Sequence, residues 1–154
     1  FESPVVNFKN LHVLTDYFQQ AHMRTAGGQV RHIILSEEGF TSDSISRGKV
    51  YDIQAAAFAY AYYLVDNNPY IDAFILNRQV DAITEVETSC AFGLWTVDMS
   101  RPDKVIAVMP KNIYQVFKHI DTRKSLRYSE FAKSIVGISD WSEVIPGFDP
   151  EKYQ

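Results

Sequence analysis

Cysteine is almost absent from this sequence, whose 154 residues include only Cys90. A single thiol cannot form a disulfide within the chain, and it says little about the redox compartment. Cys90 also lacks the neighbouring residues of a catalytic thiol motif. No group of cysteines and histidines has the spacing of a zinc site, since even His12 and His22 stand too far apart to hold a metal from adjacent helical turns. The sequence therefore predicts neither a metal site nor a cofactor.

Other motifs and compositional signals are missing as well. The Gly27-Gly28 pair comes before a predicted strand, whereas a glycine loop that cradles phosphate follows one. No Gly-x-Ser-x-Gly serine motif is present. The formal net charge is -4 without a basic stripe, which predicts no nucleic-acid partner. We also expect no membrane span, because the apolar segment at residues 55–65 is short and contains tyrosines.

The residues that are present suit a single α/β domain. Hydrophobic residues make up 46% of the chain and aromatic residues 14%, which is ample for a core. A helix capped by Asn10 and stopped by Gly27-Gly28 precedes an apolar strand at residues 33–35. An alanine-rich helix at residues 52–66 and a second strand at residues 71–76 follow. This alternation predicts a parallel sheet built from βα units.

The second half of the chain is less regular. Residues 80–98 form a long segment without clear periodicity, and such segments in compact domains are usually functional or disordered. Pro110 can begin a third helix that runs to Ile120. A shorter helix at residues 129–135 follows, and Trp141 is expected to anchor the last helical piece.

The chain is organised around Arg31-His-Ile-Ile-Leu-Ser-Glu-Glu-Gly-Phe40. Its apolar run is typical of a strand that is buried on both faces, and it delivers two carboxylates directly to the carboxyl end of that strand. Carboxylates are seldom buried without a partner. In parallel α/β proteins, the carboxyl ends of strands are where sites are built.

Strand alternation predicts different positions for Glu37 and Glu38. Glu37 shares a face with Leu35, and Glu38 shares the other face with Ile34. The two glutamates should therefore have different roles. The alternative is that both are ordinary loop carboxylates, one capping a backbone amide and the other solvated.

A family resemblance follows from these residues. Leu35-Ser36-Glu37-Glu38-Gly39 resembles the end of the seventh strand in retaining β-glycosidases of the large (β/α)8-barrel clan, which reads Ile/Val-Thr/Ser-Glu-x-Gly. Residues 52–66, 71–76 and 110–120 would then be the seventh helix, the eighth strand and the eighth helix. With Ser-Glu-Glu-Gly-Phe, Asn-Arg-Gln-Val-Asp-Ala and Phe-Gly-Leu-Trp, the whole chain is also similar to the C-terminal part of a little-characterised bacterial family of glycosidase-like barrels.

The resemblance implies a fold that this chain only partly supplies. Residues 1–154 would be one partial domain, the C-terminal βα units of a (β/α)8 TIM barrel. A complete barrel of this type needs about 250 residues. We expect the other units to come from a preceding segment of the same gene product or from a second copy of the chain. The chain begins at Phe1, without an initiator methionine, and so reads as part of something longer.

The resemblance also implies a reaction, the hydrolysis of a β-glycosidic bond with retention of configuration. Glu37 would be the nucleophile that forms a glycosyl-enzyme intermediate. A second carboxylic acid, about 5–5.5 Å away, would protonate the leaving oxygen and later activate water. In the clan this acid/base follows the fourth strand, usually in an Asn-Glu pair, and that strand is not in this chain. We therefore expect the chain alone to be inactive.

Further residues are candidates for binding a carbohydrate substrate. Asn77 and Arg78 occupy the zone where many clan members carry a tryptophan that stacks on the sugar. Trp95 could take that role from the long loop, or it could simply pack within the loop. Arg78 could hold Glu37 ionised or bind an acidic sugar.

The remaining acids of this region complete the candidate set. Asp81 and Glu85 are candidate substrate or supporting contacts, and either could instead form a salt bridge with Arg78. We expect Glu38 to be structural or to support the site from behind the substrate-contacting residues.

Two other functions remain open from the sequence. The chain could be a non-catalytic α/β carbohydrate-binding or interaction module, which would keep the aromatic rim and need no paired acid. It could also be a structural domain whose glutamates cap neighbouring helices. An Asn-Glu pair after a strand in the upstream sequence would favour the enzyme. The sugar, the linkage and the compartment stay open, with a secreted or periplasmic location as one option.

Overall fold

A computed structural model describes residues 5–154, and it shows a mixed α/β fold. The helices within these residues are α1 Leu11–Phe18, α2 Tyr51–Asp66, α3 Ile83–Val86, α4 Asn112–His119 and α5 Ser125–Val136. The strands are β1 Ile33–Glu38, β2 Asp43–Ser44, β3 Gly48–Lys49, β4 Ile71–Leu76, β5 Trp95–Val97 and β6 Ala107–Pro110. Short 3-10 turns lie at Phe8–Asn10, Ala21–Met23, Trp141–Glu143 and Pro150–Tyr153.

The central unit is β1-α2-β4, in which the two strands pair in parallel. Parallel strands cannot be joined by a tight turn, so a helix must carry the chain back across the sheet. Helix α2 does this, and Asn67 follows it as the C-terminal cap. The prediction of a parallel α/β arrangement is confirmed, and the range predicted for the second strand is the observed one.

The hydrophobic core lies between α2 and the helices that follow it in the chain. Helix α2 packs against both α4 and α5. The Tyr63 hydroxyl lies 2.8 Å from the hydroxyls of Ser125 and Ser129, which joins α2 to α5. Trp141 is fully buried, and its ring centre lies 4.9 Å from that of Tyr63. Trp141 therefore anchors the C-terminal turn, as its large apolar ring predicted.

One face of the β1–β4 pair is covered and the other is open. Phe74 on β4 packs on Phe58 of α2, with ring centres 5.7 Å apart. Ile34 and Ile75 lie on the opposite face and are 61% and 52% exposed. The prediction that β1 is buried on both faces is therefore wrong for this chain, because helices cover only one side of the pair.

The described residues form three separate two-stranded sheets and no closed barrel. The pairs are β1–β4, β2–β3 and β5–β6, of which the last two are antiparallel. The fold class α/β is thus what the structure has. No helix within residues 5–154 is long and apolar enough to span a membrane.

Several element boundaries differ from the sequence predictions, and α5 begins at Ser125, four residues before the predicted start. Helix α1 ends at Phe18, and a separate 3-10 turn follows before the glycine pair. The irregular segment at residues 80–98 contains α3 and β5. Pro110 does not begin a helix; it ends β6 on the exposed edge of a hairpin, opposite Trp95, where a residue without an N–H is tolerated.

Candidate functional site

The carboxyl ends of β1 and β4 lie side by side. The Asn77 backbone N–H donates a hydrogen bond to the Glu38 carbonyl oxygen at 2.7 Å. Gly39 then passes so close to the second strand that a Cβ atom there would lie 2.7 Å from the Asn77 carbonyl oxygen and 3.1 Å from the Phe92 ring. A glycine is required for this approach. The loops that follow the two strands therefore start from one shared edge.

An irregularity in β1 sets the directions of its two glutamates. Leu35 pairs with Phe74, and Glu38 pairs with Leu76, so β1 advances three residues where β4 advances two. One extra residue of this kind is a bulge, and it reverses the alternation of side chains beyond it. Glu38 therefore shares the helix-covered face with Leu35 and is half-buried, whereas Glu37 lies toward the open face and is exposed.

This finding corrects the face assignments made from simple alternation. Glu37 was expected on the face of Leu35 and Glu38 on the face of Ile34, and the bulge exchanges them. The two glutamates differ in exposure, and their different roles stay a prediction. The exposed carboxylate is the one at the position of the nucleophile in the resembled motif.

Arg78 is held at the same edge by one hydrogen bond and one ion pair. Its Nη2 atom lies 3.4 Å from Glu85 Oε1, and its Nε donates to Asn77 Oδ1 at 3.2 Å. The Arg78 side chain remains 41% exposed. Of the two ion pairs considered for Arg78, the one with Glu85 is present. Glu85 Oε2 is buried and has no hydrogen-bond partner among the described residues.

A cleft of about 330 Å³ opens beside Arg78. Its lining residues are Leu76, Arg78, Gln79, Leu94, Trp95, Tyr114 and Phe117. The Trp95 ring meets the Tyr114 ring edge to face, with centres 5.2 Å apart. The Trp95 N–H donates to the Gln79 carbonyl oxygen at 3.0 Å, which fixes the Trp95 backbone against the segment that follows β4. The cleft is thus an aromatic pocket with one guanidinium at its wall.

Asp81 is enclosed behind this cleft, with only 3% of its surface exposed. Its Oδ1 atom accepts a hydrogen bond from Lys111 Nζ at 2.7 Å and another from the Gly93 N–H at 2.6 Å. Lys111 Nζ also donates to Ser42 Oγ at 2.9 Å and to the Ala91 carbonyl oxygen at 3.1 Å. In this arrangement Asp81 supports the loops and does not reach the cleft as a substrate contact.

The Lys111–Asp81 pair joins three parts of the chain. It ties the loop after β1, through Ser42, to the segment between α3 and β5 and to the start of α4. Burial lowers the pKa of Lys111, and the hydrogen bond and charge of Asp81 oppose that shift. Sequence reasoning missed Lys111 and Ser42, because neither stands in a pattern that distinguishes it from a solvent-exposed residue.

A second buried polar contact supports the same loops. Gln54 of α2 donates through Nε2 to the Phe40 carbonyl oxygen at 2.8 Å. This bond fixes the first residue after Gly39 to the helix beneath it.

Among residues 5–154, no three histidine, cysteine or acidic side chains stand together as ligands for a metal.

The geometry defines an α/β protein with a candidate ligand site at the carboxyl edge of a parallel strand pair. An exposed carboxylate lies toward the open face of this edge, and an aromatic cleft with one guanidinium lies on the helix-covered side, beside Leu76 and α4. Residues 1–144 match the Family of unknown function (DUF5722), and the chain belongs to this family. Neither a curated protein nor a solved structure matches the chain.

Proposed function

We propose that the chain supplies the C-terminal βα units of a (β/α)8 glycoside hydrolase that cleaves a β-linked poly- or oligosaccharide with retention. Glu37 is the nucleophile in this proposal. The observation that carries it is the bulge in β1, which leaves Glu37 exposed toward the open face at the carboxyl end of a parallel strand. In barrel enzymes the reacting groups lie at that end of the strands.

The open face of the β1–β4 pair supports the barrel part of the proposal. Ile34 and Ile75 are large apolar side chains that one layer of helices leaves uncovered. Within the described residues, β1 and β4 pair only with each other, so the outer edge of each strand is unpaired. Further βα units on these edges would turn the apolar face inward and satisfy the free backbone groups. A preceding segment of the gene product or a second copy would supply them.

The proposed reaction has two displacements. The Glu37 carboxylate attacks the anomeric carbon while the glycosidic C–O bond breaks, and a carboxylic acid outside this chain gives its proton to the leaving oxygen. The same outside group, now a carboxylate, takes a proton from water. The resulting oxygen attacks the anomeric carbon and displaces Glu37, which restores the starting carboxylate.

The aromatic cleft favours a second candidate, a non-catalytic carbohydrate-binding module. Trp95 and Tyr114 offer ring surface on which the apolar face of a sugar could stack. This contact needs no reactive carboxylate. The two candidates therefore differ in whether Glu37 is required.

Matched substitutions of the neighbouring glutamates separate these candidates. In the full-length gene product, we expect Glu37→Ala to lower kcat/KM on 2,4-dinitrophenyl β-glycosides by at least about 10³-fold. These substrates have leaving groups that need no protonation, so the assay reports the nucleophile. Azide should restore turnover of this variant and give the α-glycosyl azide, because azide attacks from the side that the carboxylate has vacated.

Glu38→Ala is the control, since it removes an adjacent glutamate on the covered face. It should keep activity within about tenfold of the unmodified protein, and azide should not change it. Full activity of Glu37→Ala without azide would contradict the proposal. Glycan binding without turnover by the unmodified protein would favour the binding module.

A further inference from the structure

We propose that the cleft beside Trp95 selects glycans that carry a carboxylate, and that Arg78 binds this group. The inference rests on the proposed function, because it names the class of glycan that the protein would bind. Its chemical target is a uronic acid residue, in which a carboxylate replaces the neutral C6 hydroxymethyl group. Glu37 and Trp95 retain the positions already described.

The guanidinium of Arg78 has one edge in use and one edge available. Nε and Nη2, which contact Asn77 and Glu85, lie on the same edge of the planar group. Nη1 donates a hydrogen bond to no residue of the described chain. Nη1 and Nη2, at the end of the fork, can therefore donate to both oxygens of a second carboxylate, the geometry in which arginine binds this group best.

The contact with Glu85 is a long ion pair and not a close hydrogen bond. Charge-assisted N–H···O bonds are usually about 2.7–2.9 Å long, whereas the Arg78–Glu85 separation is 3.4 Å. The side chain is also 41% exposed, so a ligand can reach it. Asn77 Oδ1 fixes the orientation of the guanidinium without neutralising it.

The surroundings of Arg78 suit a sugar that carries one charge. Leu76, Trp95 and Tyr114 provide apolar and aromatic surface in the same cleft. The Arg78 carbonyl oxygen accepts a hydrogen bond from the Leu94 N–H at 3.0 Å, so the backbone is fixed beside these rings. Stacking then holds the ring of the sugar while the guanidinium meets its carboxylate. A neutral sugar gains only the first of these contacts.

Matched ligands test the inference in the full-length gene product. Cellotetraose and its C6-oxidised glucuronate counterpart differ only at C6, and mannotetraose and β-1,4-mannuronate tetrasaccharide form a second pair. We expect isothermal titration calorimetry to show the acidic member of at least one pair binding about tenfold tighter or more, since hydrogen bonds to a charged group have that strength. Equal affinity within both pairs, or binding of neither member, would overturn the inference.

Substitutions assign the preference to Arg78. Arg78→Gln should bring the ratio of acidic to neutral affinity close to one, and Arg78→Lys should keep part of it because the charge remains without the fork. Arg101→Gln is the matched control, since Arg101 also lies 3.4 Å from its acidic partner, Asp103, and does not line the cleft. An unchanged ratio in Arg78→Gln would overturn the assignment. If that variant does not fold, the ratios of Arg78→Lys and of the unmodified protein decide the question.

The azide experiment on Glu37→Ala keeps this inference separate from the proposed function. Azide rescue on neutral glycosides, without a preference for acidic tetrasaccharides, would leave the hydrolase in place and refute the role of Arg78. A preference for the acidic tetrasaccharides, without any effect of Glu37→Ala on turnover, would support the role of Arg78 and refute Glu37 as the nucleophile.

Discussion

Replacing Asp81 with alanine should destabilise the protein strongly, because it leaves the Lys111 ammonium buried without its carboxylate. The side chains of Lys111 and Asp81 are 0% and 4% exposed, and Nζ lies 2.7 Å from Oδ1. Removing one partner of such a pair costs about 3–5 kcal/mol of unfolding free energy. The Gly93 N–H, now bonded to Asp81, loses its acceptor at the same time. The loss is a large part of a total stability that is about 5–15 kcal/mol for most domains.

Urea denaturation measures this loss, and the two tryptophans report on different regions. Trp95 lines the cleft that Asp81 supports, and Trp141 lies in the core. We expect the midpoint of unfolding to fall for both signals if the chain unfolds as one unit. An earlier transition of Trp95 alone would show that the loops open first.

The double substitution Asp81→Leu with Lys111→Met is the control. It removes both charges and fills similar volume with apolar atoms, so it should recover roughly half or more of the lost free energy. We expect the unfolding free energy to recover only in part, because Ser42 Oγ and the Ala91 carbonyl oxygen lose the hydrogen bonds that Lys111 donates. The reasoning is refuted if Asp81→Ala lies within about 1 kcal/mol of the unmodified protein, or if the double variant is no more stable than the single one.

Three further predictions concern stability. Burial lowers the pKa of Lys111 in the folded protein. Below the ordinary lysine pKa of about 10.4, Lys111 therefore binds more protons in the unfolded chain than in the folded one, and the unfolding free energy should rise with pH toward that value. Asp81→Asn should make this rise steeper in urea titrations between pH 7 and 10, and an identical slope would contradict the assignment. Gly39→Ala should lower the melting temperature, with a cost of about 1–3 kcal/mol, because its Cβ would lie 2.7 Å from the Asn77 carbonyl oxygen. Tyr63→Phe should cost about 1–2 kcal/mol, since its buried hydroxyl contacts two serine hydroxyls, and an unchanged melting temperature would rule out that contribution.

Local patterns were sufficient for the central unit of the fold. The run Ile71–Leu76 is apolar enough, and bounded clearly enough, to fix a strand from sequence alone. Helix α2 is rich in alanine and ends at an asparagine pair followed by Pro69. In both cases the determinants lie within the segment itself, so no knowledge of the partner was needed.

Features that depend on a distant partner could not be predicted in the same way. The bulge in β1 exists only relative to β4, and simple alternation therefore assigned Glu37 and Glu38 to the wrong faces. Strand β6 is an apolar run, Ala107-Val-Met-Pro110, that is nevertheless exposed along its length, and Pro110 at its end resembled a helix start.

The candidate site also combines features that the local sequence indicates with features that depend on distant residues. The sequence offered an ion pair with Glu85 as one of two options for Arg78, and only the fold decides between them. The burial of Lys111 depends on loops that are distant in sequence, and nothing adjacent to that lysine predicts it. Asp81 was expected as a substrate or supporting contact, and its burial behind the loops could not be read from the sequence.

Mechanism-based labelling tests the central claim about Glu37 most directly. The full-length gene product is incubated with a panel of 2,4-dinitrophenyl 2-deoxy-2-fluoro-β-glycosides, glucuronides included, which trap the nucleophile of a retaining enzyme as a stable glycosyl ester. Trypsin cleaves after Arg31 and Arg47, so both glutamates fall in one peptide, and fragmentation by tandem mass spectrometry must locate the sugar. The account predicts the label on Glu37. A label on Glu38 or on any other carboxylate would contradict it.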